Sequence, residues 1–316
     1  MESITRVGID ASLDTLDVLV DRAENRRFQV PNSLDGVKKL KTELGRGKYI
    51  IAIEASGRYE ALARHELQAA GYTVKLQNPR QVRRLAEGLG IQAKTDSLDA
   101  EVLARTAELC ATNEPRSKER EVLGDVSRAI DTMKRLRAGY LRRAQVPGLC
   151  PVALKAFRNV AKTFQAEIKR LESEFVKLVK ASSFKDRYRY ALSVPNVGPN
   201  LARVAVCELP EHLENWSIRQ ISAYAGVAPI DNSSGKRIGA PKVPKHKNVH
   251  LKAALFMPAM GAINRDAWAA GTYARLRARG LEHQKAVIPV MHKLLFHLVS
   301  VLKRGSAWEA EPPKRT

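Results

Sequence analysis

Two apolar, strand-length runs in the first 54 residues each stop on a single carboxylate. Ile4-Thr5-Arg6-Val7-Gly8-Ile9 runs into Asp10, and Lys48 to Ile53 runs into Glu54. Further on, Lys94-Thr95-Asp96-Ser97-Leu98-Asp99-Ala100 sets two more carboxylates three apart at the start of a helix. That spacing projects both from one helical face. Four acids converging from separate elements are what a pair of divalent metal ions needs. Helix capping accounts for the second pair as well, with Asp96 as N-cap and Asp99 at N3, where it favours the helix dipole.

The elements between these acids narrow the choice. Leu16 to Val20 and Arg27 to Val30 read as second and third strands, and Ser33 caps a helix with apolar positions Leu34, Val37, Leu40 and Leu44. Ser56-Gly57 opens a helix through Leu62, Leu67 and Ala70, stopped by Gly71. Tyr72 to Leu76 is a fifth strand, a helix follows Pro79, and the helix of Asp96 and Asp99 runs to about Cys110. Three strands, helix, strand, helix, strand and helices is the ribonuclease-H-like order also used by RuvC resolvases. Its logic puts an acid on the first strand, another on the fourth and the last on a C-terminal helix. Asp10, Glu54 and the Asp96/Asp99 pair fall on those elements.

Charge separates this region from the rest. Residues 1–110 hold 17 Lys+Arg against 16 Asp+Glu, a balance of +1, whereas the remainder holds 37 against 17, a balance of +20. Such a remainder suits a polyphosphate partner. The three isolated cysteines (Cys110, Cys150, Cys207) form no disulfide or zinc pattern and fit a reducing cytoplasm. No signal peptide is expected from an N-terminus that enters a strand at once, and no apolar run approaches the roughly 20 residues of a membrane span.

Beyond residue 117 the pattern turns helical. Val122, Val126, Ala129, Met133, Leu136 and Tyr140 recur at spacings of four and three, as do Phe164, Ile168, Leu171, Phe175 and Leu178 after a break at Pro147-Gly148 and Pro151. These stripes fit a bundle core or two antiparallel helices projecting as a dimerising coiled-coil arm. Arg128, Lys134, Arg135, Arg137, Arg142 and Arg143 crowd the first of them and suit phosphate contact. Leu192 to Pro199 leads into a helix from Asn200 to Cys207, either as a phosphate-gripping helix-hairpin-helix or as a plain αα turn, with Asn196 where the former has Gly. Ser217 opens a helix to Tyr224 that Gly226 closes. A polar, Gly-flexible loop follows, Asp231 to Gly239, with Lys236 and Arg237 and then Lys242, Lys245, Lys247 and Lys252. A surface loop turned by its serines and a phosphodiester-binding loop both fit. An Arg-bearing helix from Trp268 and a long apolar helix from Ala286 to Leu302 complete the chain.

Gly8-Ile9-Asp10, Ile53-Glu54-Ala55-Ser56-Gly57 and Lys94 to Ala100, read together, resemble the DEDD transposases of the IS110 insertion-sequence family, related to the Piv pilin-gene invertases. Pro195-Asn196-Val197-Gly198, Tyr224 to Pro229, Ser234-Gly235-Lys236 and Leu251 to Leu255 are similar to that family's second domain. The resemblance covers nearly the whole chain, in order. It implies an α/β plus α architecture: a RuvC-like catalytic domain over 1–112, a helical coiled-coil arm over 113–185 and a mostly α-helical transposase domain over 186–316. It implies Mg²⁺, with Mn²⁺ as a substitute, held by Asp10, Glu54, Asp96 and Asp99. It also implies a serine nucleophile forming a phosphoserine link to DNA. The serine directly before Gly235 is Ser234, and Ser233 competes with it. Implied partners are donor and target DNA, a non-coding bridge RNA and further copies of the chain, as a dimer or a dimer of dimers, with the DNA of a prokaryotic cytoplasm as the place of action. A metal-dependent endonuclease or junction resolvase without a covalent intermediate is the alternative, and a non-enzymatic nucleic-acid binder is a third reading.

Overall fold

β1 (Thr5–Ala11), β2 (Thr15–Asp21) and β3 (Arg26–Pro31) form an antiparallel meander. β4 (Tyr49–Glu54) and β5 (Thr73–Gln77) then add in parallel on the far side of β1, giving the sheet order β3-β2-β1-β4-β5. The structure is a computed structural model that describes residues 4–21, 25–45, 47–55, 57–90, 96–109, 117–228, 230–234, 237–242 and 247–309. It divides into two compact units, Met1–Arg116 and Ser117–Thr316.

In the first unit, β1 and β4 are apolar on both faces because they are the central strands, covered by helices on each side. α1 (Leu34–Leu44) is capped as expected, the Ser33 side chain accepting from the Gly36 amide. Val37, Leu40 and Leu44 pack with Val7, Ile9, Ile51 and Ile53, while Leu34 stands 55% exposed, outside the stripe. α2 (Ala61–Ala69) begins later than the sequence suggests. Gly57 and Arg58 take positive φ values of 70° and 90°, so the chain must turn before a helix can start. α3 (Pro79–Gly88) starts at the cap Asn78, with Pro79 at its first turn. α4 (Asp96–Leu109) covers the other face, burying Val102, Leu103 and Ala107 against Ala52, Val82 and Ala86.

The second unit is built on α5 (Lys118–Arg143) and α6 (Pro151–Ala181). They run antiparallel: Ser183 Oγ donates to Glu119 Oε2 at 2.6 Å, Lys134 pairs with Glu172 at 2.8 Å, and Tyr140 meets Phe157 and Phe164 further out. At ~1.5 Å per residue the 26-residue α5 is about 39 Å long and the 31-residue α6 about 47 Å. Their base joins one core with the remaining helices, through Leu123, Ile130, Ile168, Phe175 and Val179. The expected stripe on α5 holds in part: Val126 and Met133 pack half-buried against the core, but Leu123, Ser127 and Ile130 are buried, whereas Val122 and Leu136 are 45% and 40% exposed. α5 packs against α8 as well as α6, and a helix with two neighbours buries a face that neither heptad stripe alone describes.

α7 (Lys185–Ser193) and α8 (Pro199–Glu208) are joined by a turn in which Asn196 takes φ 64°, the left-handed conformation. α9 (Ile218–Ala225) carries a capping box of Ser217 and Gln220 and ends at the left-handed Gly226. The stretch read as a flexible loop is a hairpin, β6 (Ile230–Ser234) with β7 (Arg237–Lys242). α10 (Val249–Arg265), α11 (Ala267–Ala278) and α12 (His283–Arg304) close the unit. α12 has 22 residues, and an 18-residue window within it has a mean hydropathy of 1.5, so by length and composition alone it could cross a membrane. Its stripe of Val287, Val290, Met291, Leu294, Leu295 and Leu298 is nonetheless buried in the core of this unit.

Candidate active site

Sheet register brings the first two acids together. Ile9 pairs with Ile53 on parallel β1 and β4, so the next residues, Asp10 and Glu54, leave the sheet side by side. Asp10 also pairs with Asp17 on β2, Asp17 with Gln29 on β3, and Glu54 with Gln77 on β5. Five polar residues thus form one row across the sheet, with neighbours ~4.8 Å apart. Asp10, Asp17 and Glu54 are half-buried. The row lies two residues beyond Arg27, Leu19, Gly8, Ala52 and Lys75, and alternation puts both rows on one sheet face.

α4 crosses that face along the inner row. Arg27 pairs with Glu101 at 2.9 Å, Leu19 packs with Ala100 and Ala104, Ala52 packs with Val102 and Leu103, and Lys75 Nζ donates to the Ala107 carbonyl at 2.7 Å. The helix backbone comes so close to β1 that a Cβ on Gly8 would overlap the Ala100 carbonyl oxygen and stand 2.7 Å from the Ala104 amide nitrogen. The helix that presses on Gly8 through Ala100 starts at Asp96, while Asp10 lies two residues along β1. The side chains of Asp96 and Asp99 lie outside the described residues. Among the described side chains, no group of three or more His, Cys, Asp or Glu is gathered closely enough to hold a metal ion.

The row adds three residues that sequence reading passed over. Asp17 accepts from Gln29 Nε2 at 2.9 Å. Gln77 is 1% exposed, and neither its amide oxygen nor its amide nitrogen has a hydrogen-bond partner among the described residues. Burying such atoms unpaired costs ~1–3 kcal/mol each. A donor set of carboxylate and amide oxygens suits a hard cation such as Mg²⁺, and an orphaned buried amide beside Glu54 fits a site whose hydrogen-bonding partner is not protein.

In the second unit, Ser233 pairs with Ile238 and Ser234 with Arg237, so Ser234 is the last residue of β6 before the turn. Gly235, Lys236 and Lys245, and the side chains of Ser233, Ser234, Arg237 and Lys242, lie outside the described residues. Asn248, the N-cap of α10, makes part-buried polar contacts. Asn248 donates to Glu208 Oε2 at 2.7 Å and to the Tyr224 hydroxyl at 2.9 Å, while its own side-chain oxygen caps α10 at the Leu251 amide. Gly226 allows the close approach, since a Cβ there would lie 2.7 Å from Cβ of Lys247. Lys247, Lys252 and Lys285 rim a cleft of about 430 Å³ floored by Phe256, Ile288 and Met291. Burial, and then the charge of Lys247, lowers the Lys252 pKa from its ordinary value. Arg135, Arg142 and Arg143 stand exposed towards the far end of α5, with the Arg143 guanidinium 5.5 Å from the Tyr140 ring centre.

The mixed five-stranded sheet, with carboxylates ending its two central parallel strands and a helix across the same face, is compatible with the RuvC-like class of ribonuclease-H folds. Residues 7–143 match the DEDD transposase family of IS110, and residues 188–274 match a second family described as "Transposase IS116/IS110/IS902 family". The chain belongs to the IS110 family of DEDD transposases. It is 23% identical over 321 residues to the pilin gene-inverting protein of Moraxella bovis, covering 97% of this chain and 98% of that one. It is 25% identical over 209 residues to an uncharacterized 43.6 kDa protein of insertion element IS110 from Streptomyces coelicolor. That match covers 66% of this chain, which spans only 49% of the Streptomyces protein. A probable family 20 transposase of Pseudomonas aeruginosa is 22% identical over 305 residues, 83% of this chain and 85% of its own.

Proposed function

We propose that this chain cuts and rejoins donor and target DNA as a transposase or recombinase, using Asp10, Glu54, Asp96 and Asp99 as ligands for Mg²⁺ and Ser234 as nucleophile. The observation that carries the reading is the placement of Asp10 and Glu54 side by side on the sheet face that α4, the helix of Asp96 and Asp99, crosses. When bound there, Mg²⁺ would neutralise charge developing on a scissile phosphate.

The chain's own residues do the rest. The Ser234 hydroxyl oxygen bonds to phosphorus as one phosphorus–oxygen bond of the DNA breaks, and the strand end so released takes up the proton as a hydroxyl. A strand-end hydroxyl of the other DNA later attacks the phosphoserine, restoring a phosphodiester and the serine hydroxyl. The number of phosphate ester bonds is unchanged throughout, so the cycle needs no ATP. The position of Ser234 at the end of β6, next to the turn of a two-stranded hairpin, supports a nucleophile presented at a strand end. The exposed Arg135, Arg142 and Arg143, with Lys236, Arg237, Lys242, Lys245, Lys247 and Lys252, would hold nucleic-acid phosphates. Both DNA and a guiding bridge RNA present such phosphates, and the outer halves of α5 and α6 would join copies of the chain.

The test is cleavage of DNA carrying the element's ends in the presence of Mg²⁺. Asp10→Asn and Glu54→Gln should each abolish strand cleavage while leaving DNA binding intact. Cleavage at the wild-type rate by both variants would exclude the carboxylate reading.

A further inference from the structure

Among the described residues, nothing pairs with the side-chain amide of Gln77. It ends β5 directly opposite Glu54, and its carbonyl accepts from the Ala55 amide at 3.0 Å, so the backbone here is held firmly. Lys75, two residues earlier, reaches the Ala107 carbonyl of α4. Alternation therefore sets Gln77 on the same covered face as Glu54. Other buried polar side chains of this unit keep at least one partner, although the Arg64 Nε atom and the Asn32 side-chain oxygen also lack a hydrogen bond among the described residues. Thr106 Oγ1 donates to the Leu103 carbonyl at 2.6 Å, Glu60 accepts from the Arg58 amide at 3.0 Å, Arg64 donates to Gln68, and the Asn32 amide nitrogen donates to the Ser12 carbonyl at 2.8 Å. At the far end of the row, Gln29 is satisfied by Asp17. Gln77 alone in the row is fully buried with both amide atoms unpartnered among the described residues. An apolar residue of the same length would fill that space without leaving polar atoms unpaired.

We infer that Gln77 is a positioning residue of the carboxylate site: its amide oxygen accepts a hydrogen bond from a water bound to a divalent cation at Asp10 and Glu54. The inference rests on the metal reading proposed above. Groups one shell out from a metal commonly set its affinity, because they fix the orientation of what the metal holds. An amide oxygen can do this without adding charge beside Glu54.

The experiment measures Mn²⁺ binding to the full chain by electron paramagnetic resonance of the free ion, with thermal melting in EDTA as a second readout. Gln77→Met should melt at or above the wild-type temperature in EDTA, because it removes two unpaired buried atoms, yet bind Mn²⁺ about tenfold more weakly. Gln77→Glu, which keeps an oxygen in place, should bind at least as tightly as the wild type. Unchanged Mn²⁺ affinity in Gln77→Met would overturn the inference, as would a lowered melting temperature in EDTA, which would mark the amide as paired within the protein. Asp10→Asn separates the two claims. If it abolishes Mn²⁺ binding while Gln77→Met does not alter it, only the role of Gln77 falls; if it too binds normally, the metal reading falls with it.

Discussion

Gly8 of β1 lies directly beneath Ala100 of α4, with no room for a side chain between strand and helix. Only a residue without a Cβ lets the helix backbone come this close to the central strand. The same contact fixes the start of α4 on the face that carries Asp10 and Glu54. Gly8→Ala should therefore destabilise the first unit by about 3 kcal/mol, the range of an overpacked core. Urea denaturation followed by far-ultraviolet circular dichroism would measure it, and a loss below ~0.5 kcal/mol would show that the helix can move away freely.

Arg203 plays a comparable part in the second unit. From α8 its guanidinium, 3% exposed, donates to the Ser127 carbonyl at 2.7 Å and pairs with Asp131 at 2.5 Å, fastening α8 to α5. Arg203→Met should cost ~3 kcal/mol, because it leaves a half-buried Asp131 without its cation. Asp131→Asn in the Arg203→Met background should recover part of that loss in the same denaturation assay.

The thiols report on the same core. Burial pushes the Cys207 thiol up to about 11, whereas Cys150 is exposed. A thiol whose folded pKa lies above its unfolded value holds its proton longer in the fold. It therefore contributes stability that is present below about 9 and lost as pH rises through about 11. Only the thiolate reacts readily. In a chain carrying Cys110→Ser and Cys150→Ser, Cys207 should stay unlabelled by a disulfide reagent at pH 8 until denaturant unfolds the second unit. Prompt labelling of the folded protein would contradict its burial.

The far end of α5 makes a prediction about salt. Arg135, Arg142 and Arg143 are exposed, and none has an ion-pair partner among the described residues. If they hold phosphates, replacing all three by alanine should lower the slope of log affinity against log salt by about one unit per arginine. Nucleic-acid binding titrated from low to moderate salt would measure it. An unchanged slope would mean that these residues are solvated and nothing more.

Much of the first unit was legible because its signals are local. Apolar runs ending in Asp10 and Glu54, the Ser33 cap and the Pro79 start each specify their element within a few residues. The late start of α2 was not, since the positive φ of Arg58 is imposed by the turn and leaves no residue signature. The hairpin of Ser234 was hidden by its composition. Asn232, Ser233 and Ser234 show no alternation, and only the two residues between Ser234 and Arg237, Gly235-Lys236, carry a turn signal. The buried face of α5 and the orphaned amide of Gln77 depend on neighbours far away in sequence. Burial without a partner is a property of the assembled sheet, and no pattern of residues announces it.

The central claim is that Ser234 breaks DNA by bonding to it. The most direct measurement is to incubate the protein with labelled element-end DNA and Mg²⁺, denature, and look for a protein–DNA adduct by electrophoresis and mass spectrometry. The prediction is a phosphoserine at Ser234, lost in Ser234→Ala, retained in Ser233→Ala and absent in Asp10→Asn. Cleaved, hydrolysed ends with no adduct, or an adduct that survives Ser234→Ala, would contradict it.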